Sequence, residues 1–222
     1  MAAKAKSKTP PQTDWATDAE SRLLDAALPL ATQVGWGSAL VARAGREIGL
    51  SLGETELLLP NGARDLAALL SRRHDAAGLK ALAEVDPKAL KIRERIRQGV
   101  VARREAAMAD EAALRRMAGF LALPTNVPLA MRLVWESADT IWRWAGDVAT
   151  DENHYSKRAI LAGILIGDLA VRIHDGAEAG DAFLSARIDN VMAFEKWKAQ
   201  FHPVKQATEL AQALGRIRYG KG

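Results

Sequence analysis

The chain predicts an all-α fold. Apolar residues recur at three- and four-residue steps in nearly every segment, and no stretch alternates polar and apolar residues as a strand does. Glycine and proline fall at intervals suited to helices. With 222 residues, there is chain enough for one sizeable helical domain and too little for two independent cores. A hydrophobic share of 49% and a charged share of 26% describe a folded globular chain. The absence of cysteine removes disulfides, thiolate nucleophiles and thiolate metal sites, and fits a reducing cytoplasm. A net charge of +4 permits contact with anionic lipid or nucleic acid without demanding either.

Residues 1–16 carry Lys4, Lys6, Lys8 and a Pro10-Pro11 pair and read as a flexible tail, with no apolar centre of the kind a secretory signal has. Helices then follow over Asp18–Gln33, Ser38–Ile48, Gly53–Leu59, Arg64–Leu82, Pro87–Met108, Glu111–Leu121, Val127–Ala145, Asp151–Ile173 and Asp181–Phe201. A further segment over His202–Tyr219 brings the expectation to about nine or ten helices. Breaks fall at Gly35 and Gly37, at Pro60-Asn61-Gly62, at Asp86-Pro87, at Pro124 and at Gly176. Between Pro87 and Met108, Lys88, Lys91, Arg93, Arg95, Arg97, Arg103 and Arg104 surround Ile92, Ile96 and Val100. The apolar groups bury one face, so the cations read as a solvated one.

Residues 17–62 have the cadence of a helix-turn-helix, with Ala44-Gly45, a turn at Gly49-Leu50-Ser51 and a short second helix. This stretch resembles the N-terminal domain of TetR-type repressors. A reading helix needs cationic and hydroxyl groups facing phosphates and base edges. Here the exposed positions would be Leu52, Glu54 and Glu56, with Leu57, Leu58 and Leu59 as the packing side. Two carboxylates repel a polyanion, so the expectation is a degenerate helix-turn-helix kept as scaffold, with no nucleic-acid partner.

Residues 63–201 hold the apolar bulk. Val127, Met131, Val134, Trp135, Ala138, Ile141, Trp142 and Ala145 share one broad helical face. The next helix is apolar nearly all round from Ala159 through Ile160, Gly163, Ile164 and Leu165 to Val171, interrupted by Asp168. The third contributes Phe183, Leu184, Ile188, Val191 and Met192. A close-packed core and a cavity both satisfy this pattern.

The stretch "WESADTIWRWAGDVATDENHYSKRAILAGI", followed by "FLSARIDNVMAFEKWK", is similar to the ubiquinone-biosynthesis accessory protein family, the ninth Coq protein of eukaryotes and its bacterial relatives. The matching elements are Asp139, Ile141-Trp142, Gly146-Asp147, Thr150-Asp151, Tyr155, Arg158-Ala159, Phe183-Leu184 and Arg187-Ile188. The resemblance implies a TetR-like homodimer that holds an isoprenoid quinone precursor or phospholipid in an apolar pocket. It would present that lipid to a di-iron hydroxylase without itself being an enzyme. Met131, Val134, Trp135, Ala138, Trp142, Ile160, Ile164, Phe183, Ile188 and Met192 would then line the pocket. Asp139, Ile141, Asp151, His154 and Tyr155 would form the hydroxylase-docking patch. Two positions depart from the eukaryotic pattern, since His154 and Glu152 stand where aromatic residues are expected.

Structural roles are also open to these residues. Asp151 or Thr150 can cap the following helix, Arg158 can pair with Asp151 or Asp147, and Trp144 should face away from the core and be exposed. No cofactor or metal is expected, because Glu152 and His154 have the wrong spacing for a helix-borne di-iron pair and the four histidines are scattered. In the segment 202–222, Val204, Ala207, Leu210, Ala211, Leu214 and Ile217 share a face. From Lys196 onward six cations oppose Glu209 alone, a balance of +5. That suits either an interfacial helix on anionic lipid or a solvated tail. The expected location is cytoplasmic and peripheral to the inner face of a bacterial membrane. The alternative function is a TetR-type ligand-responsive transcriptional regulator.

Overall fold

A computed structural model describes residues 15–147 and 152–200, with the side chains of 152, 153 and 192–200 excepted. The basic tail, Thr150, Asp151, the Met192 side chain and the C-terminal segment lie outside what it describes. Among the described residues there are nine α-helices and no strand: α1 (Trp15–Val34), α2 (Ser38–Glu47), α3 (Leu52–Leu58), α4 (Ala63–Ala81), α5 (Ile92–Met108), α6 (Glu111–Leu121), α7 (Val127–Trp144), α8 (Glu152–Asp175) and α9 (Ala177–Gln200). The bundle is all-helical, as the periodicity predicts, and is consistent with the TetR-like arrangement that the resemblance implies.

The apolar stripes pack into two clusters. The first joins Leu23, Leu24 and Ala27 of α1 to Leu40 of α2, Leu66 and Leu70 of α4, and Leu114 and Met117 of α6. The second joins Ile96 and Val100 of α5 to Ala138 and Ile141 of α7, Leu161 and Leu165 of α8, and Leu184 and Ile188 of α9. Helix α5 serves both, because Ala107 near its end belongs to the first. Glycine sets one of the close approaches. A Cβ on Gly99 would sit 2.5 Å from Cγ2 of Ile141, so only hydrogen there lets α5 and α7 meet.

The helix-turn-helix is built from α2 and α3. Gly49, at φ +80°, makes the turn. Ser51 then caps α3 reciprocally with Glu54, which accepts from the Ser51 backbone N–H at 2.8 Å. The Ser51 side chain and backbone N–H hold the Glu54 carboxyl below its ordinary range, so this acid is engaged in the cap. Leu58 and Leu59 pack inward, but Leu57 is 74% exposed and Leu52 68%. Leu57 therefore leaves the packing side expected of it, because the buried face of α3 is set by Thr55 and Leu58 at three-residue spacing.

The segment before α5 is also corrected. Pro87–Ala89 forms a separate 3-10 turn capped by Asp86, whose side chain accepts from the Lys88 N–H. Leu90 and Lys91 are then extended before α5 begins. One cation of the expected solvated face is buried: Arg104 reaches Asp168 of α8 at 3.1 Å and also pairs with Asp181 of α9. Burial alone would lower the Arg104 pKa, but its hydrogen bond to Asp181 and the negative charge of Asp168 raise it, so the cation stays charged.

Candidate functional site

The junction of α7 and α8 gathers most of the residues singled out by sequence. Gly146, at φ +87°, ends the turn after α7, and Asp147 follows with its N–H on the Trp142 carbonyl. The Asp147 carboxylate then accepts from Lys157 at 2.7 Å and Arg158 at 2.8 Å. Arg158 is 1% exposed. It also donates to Asp139 at 2.7 Å and to the His154 carbonyl at 3.2 Å. Arg143 meets Asp139 from the same helix at 2.6 Å. Burial raises the Asp147 pKa, but the Lys157 and Arg158 hydrogen bonds overcome that and hold it below the usual carboxylate range. Burial disfavours the Arg158 charge, and its bonds to Asp147 and Asp139 reverse this and raise its pKa.

The charges beside the tryptophans thus fasten α8 to α7. Arg158 pairs with Asp147, one of its two expected partners, and with Asp139. Asp139 is engaged inward, its side chain 21% exposed.

An aromatic surface lies against this staple. Tyr155 is 64% exposed. Its ring centroid is 6.2 Å from Trp135 of α7 and 5.2 Å from His154, which meets it edge-on. Trp142 is half-buried, donating Nε1–H to the Lys157 carbonyl at 3.1 Å while the Lys157 ammonium sits 5.4 Å from its ring centroid. Ile141, expected on the docking rim, is instead in the core at 4% exposure, because it must fill the space left by Gly99. Trp144 is half-buried against the second cluster rather than exposed.

Eight of the ten expected lipid-lining residues divide into three groups. Ala138 and Ile188 are close-packed core. Val134, Trp135 and Trp142 are half-buried and Met131 is 52% exposed on α7. Ile160 and Ile164 line a groove of about 430 Å³ between α8 and α9, together with Gly163, Val191, Arg187 and Asn190. The groove opens to solvent, so the apolar helices do not enclose a chamber among the described residues. Phe183 seals its neighbourhood: a Cβ on Gly167 would lie 2.6 Å from the ring, so Gly167 accommodates phenylalanine rather than ligand. Arg187 stacks on that ring at 5.1 Å.

Sequence reasoning passed over Arg187 and Asn190 as groove residues. It also passed over the Arg104–Asp168 pair, although a carboxylate interrupting an apolar run is the signal that marks it.

The geometry can be set beside known proteins. The COQ9 family model matches residues 127–195, from the first residue of α7 into α9. Over these helices the chain is similar to the COQ9 family. Its relatives include the rat (Rattus norvegicus) "Ubiquinone biosynthesis protein COQ9, mitochondrial", 26% identical over 206 residues, covering 88% of this chain and 64% of the relative. The Xenopus laevis "Ubiquinone biosynthesis protein COQ9-B, mitochondrial" is 28% identical over 187 residues, covering 78% of this chain and 62% of the relative. The human (Homo sapiens) protein of the same COQ9 name as the rat one is 25% identical over 206 residues, with 88% and 62% covered. The chain thus spans less than two thirds of the length of these COQ9 relatives. The family segment holds both the aromatic staple and the groove. No helix among the described residues is long and apolar enough to cross a membrane.

Proposed function

We propose that this chain is a member of the COQ9 family and serves ubiquinone biosynthesis by binding a hydrophobic isoprenoid quinone precursor and presenting it to a hydroxylase, without catalysing the reaction. The observation that carries this reading is the open α8–α9 groove, apolar along Ile160, Gly163, Ile164 and Val191 with Arg187 and Asn190 at its edge. A polyprenyl chain needs the first set of contacts, and a quinone-type head group takes hydrogen bonds from the second. Its volume is at the lower end of small-molecule pockets, so it holds part of such a lipid and leaves the rest accessible to a partner.

The exposed Tyr155 ring on Trp135 and His154 is the docking anchor, supported from behind by Arg158. Aromatic groups ringed by polar ones are the usual make-up of a binding hot spot. A homodimer fits the same fold, since α8 leaves Ala159, Gly163, Ile166 and Ala170 exposed at four-, three- and four-residue steps. The transcriptional-regulator reading gains no support from α3, whose solvent-facing side chains are Leu52, Glu54, Glu56 and Leu57.

Mass spectrometry of an organic extract of the purified protein tests the reading: a co-purifying isoprenoid is expected, and a lipid-free protein overturns it. Tyr155→Asp should keep the fold and the lipid but lose capture of the di-iron hydroxylase. Unchanged capture removes the docking role.

A further inference from the structure

The corner between α6 and α7 leads into the start of α7, and its last residue, Met131, lies one turn before Trp135. Leu123 is 51% exposed, Val127 43% and Met131 52%, at successive four-residue steps, and Pro124 and Pro128 are exposed between them. From Ala112 to Trp135 the chain has no acidic residue. The corner is held rigidly. Asn126, 3% exposed, accepts from Arg64 at 2.8 Å and donates to the Phe120 carbonyl at 2.9 Å, while Arg64 also donates to the Thr125 carbonyl.

Cations lie on the elements that flank these apolar groups. Arg64 is held at the corner itself, Arg116 lies on α6, and Arg72 and Arg132 converge on one acid, Glu136, at 3.3 and 3.8 Å. Asp65 is the other nearby carboxylate and is held by Asn61. Four arginines against two carboxylates leave a balance of +2 around the exposed apolar row.

We infer that the α6–α7 corner is a membrane-docking surface that inserts Leu123, Val127 and Met131 among the acyl chains of an anionic bilayer, with the flanking arginines at the headgroups. Its features fit a bilayer better than a protein groove. Large apolar side chains stand on a helix–helix corner rather than in a cleft, with two prolines and no carboxylate among them, and the cations lie to the sides where phosphates would be. Because Asn126 fixes the loop beforehand, no ordering cost opposes insertion. The inference stands apart from the lipid-presenter reading, since a corner of this kind would bind vesicles whether or not the groove carries a quinone precursor.

The absence of cysteine makes a clean test. The full chain carrying Leu123→Cys or Met131→Cys is labelled with an environment-sensitive fluorophore and mixed with phosphatidylcholine vesicles containing about one third phosphatidylglycerol. A blue shift is expected at both positions, and none at a Leu57→Cys control on α3. Leu123→Glu with Met131→Glu, both already solvent-exposed, should keep the melting temperature and lower vesicle co-flotation by about tenfold. Undiminished flotation of that variant would assign membrane contact to the basic C-terminal segment and overturn the inference. So would equal binding to pure phosphatidylcholine, or failure of the wild type to bind.

Discussion

Two glycines one helical turn apart on α8 should respond oppositely to the same substitution. Replacing glycine by alanine inside a helix stabilises by about 0.5–1 kcal/mol, because the unfolded chain loses freedom. A Cβ on Gly163 would meet nothing within 4 Å, so Gly163→Ala should show that whole gain. At about 2–4 °C per kcal/mol for a chain of this size, Tm should rise by about 1–4 °C. A Cβ on Gly167 would sit 2.6 Å from Cζ and 3.0 Å from Cε1 of Phe183. That ring must then move against Arg187, and overpacking of this kind costs about 1–3 kcal/mol. The clash outweighs the helical gain, so Gly167→Ala should be the less stable of the two by about 1–3 kcal/mol. Since both variants share the propensity term, their difference isolates the contact. Urea unfolding monitored by circular dichroism measures it, and Gly167→Ala with Phe183→Leu should recover most of the loss. Equal stabilities for the two single variants would refute the packing argument for α8 and α9.

Arg158→Met keeps bulk but removes the charge that joins Asp139 and Asp147. Because Arg143 and Lys157 still serve those acids, the loss should be about 2–4 kcal/mol by urea unfolding, at or below the usual range for breaking a buried pair. Arg158→Lys should recover less than half of it, since an ammonium lacks the fork that spans both carboxylates. His74 is buried, with Nε2 on Asp110 at 2.9 Å and Nδ1 without a partner. Burial pushes its pKa down, only partly offset by the Asp110 hydrogen bond, so the unfolded chain takes up the proton first. Stability should therefore fall as pH drops below about 6.5, and the slope of Tm between about pH 7 and 5 should flatten in His74→Gln. Trp36→Phe removes the indole N–H bond to the Ala63 carbonyl at 3.0 Å and should cost about 1–2 kcal/mol in the same assay.

Helix existence was legible because apolar spacing is set by burial, and burial built the helices. The bounds of α6 agree with the expectation residue for residue, since Asp110 and the Ala122–Pro124 turn limit it on both sides. The break before α5 was not legible, because Leu90 and Lys91 continue the helical spacing while adopting extended backbone. Cations misled for another reason. A sequence shows that Arg104 is charged but not that Asp168 and Asp181 await it from other helices. Ile141 reads equally well as rim or core until the bare hydrogen of Gly99, forty-two positions away, decides for core. At the site, the staple was half visible in the Asp147–Arg158 spacing, whereas the groove depends on how α9 lies across α8, which no local pattern encodes.

The buried Arg104 ties α5 to Asp168 on α8 and to Asp181 on α9, close to where these two helices join at Gly176. Next along the pair comes the Phe183 ring lodged on Gly167, and beyond it Ile160 and Val191 line the groove. The two helices are therefore riveted near their junction, and the groove lies further along the pair. A guest seated in the groove would thus touch neither Arg104 nor its two carboxylates.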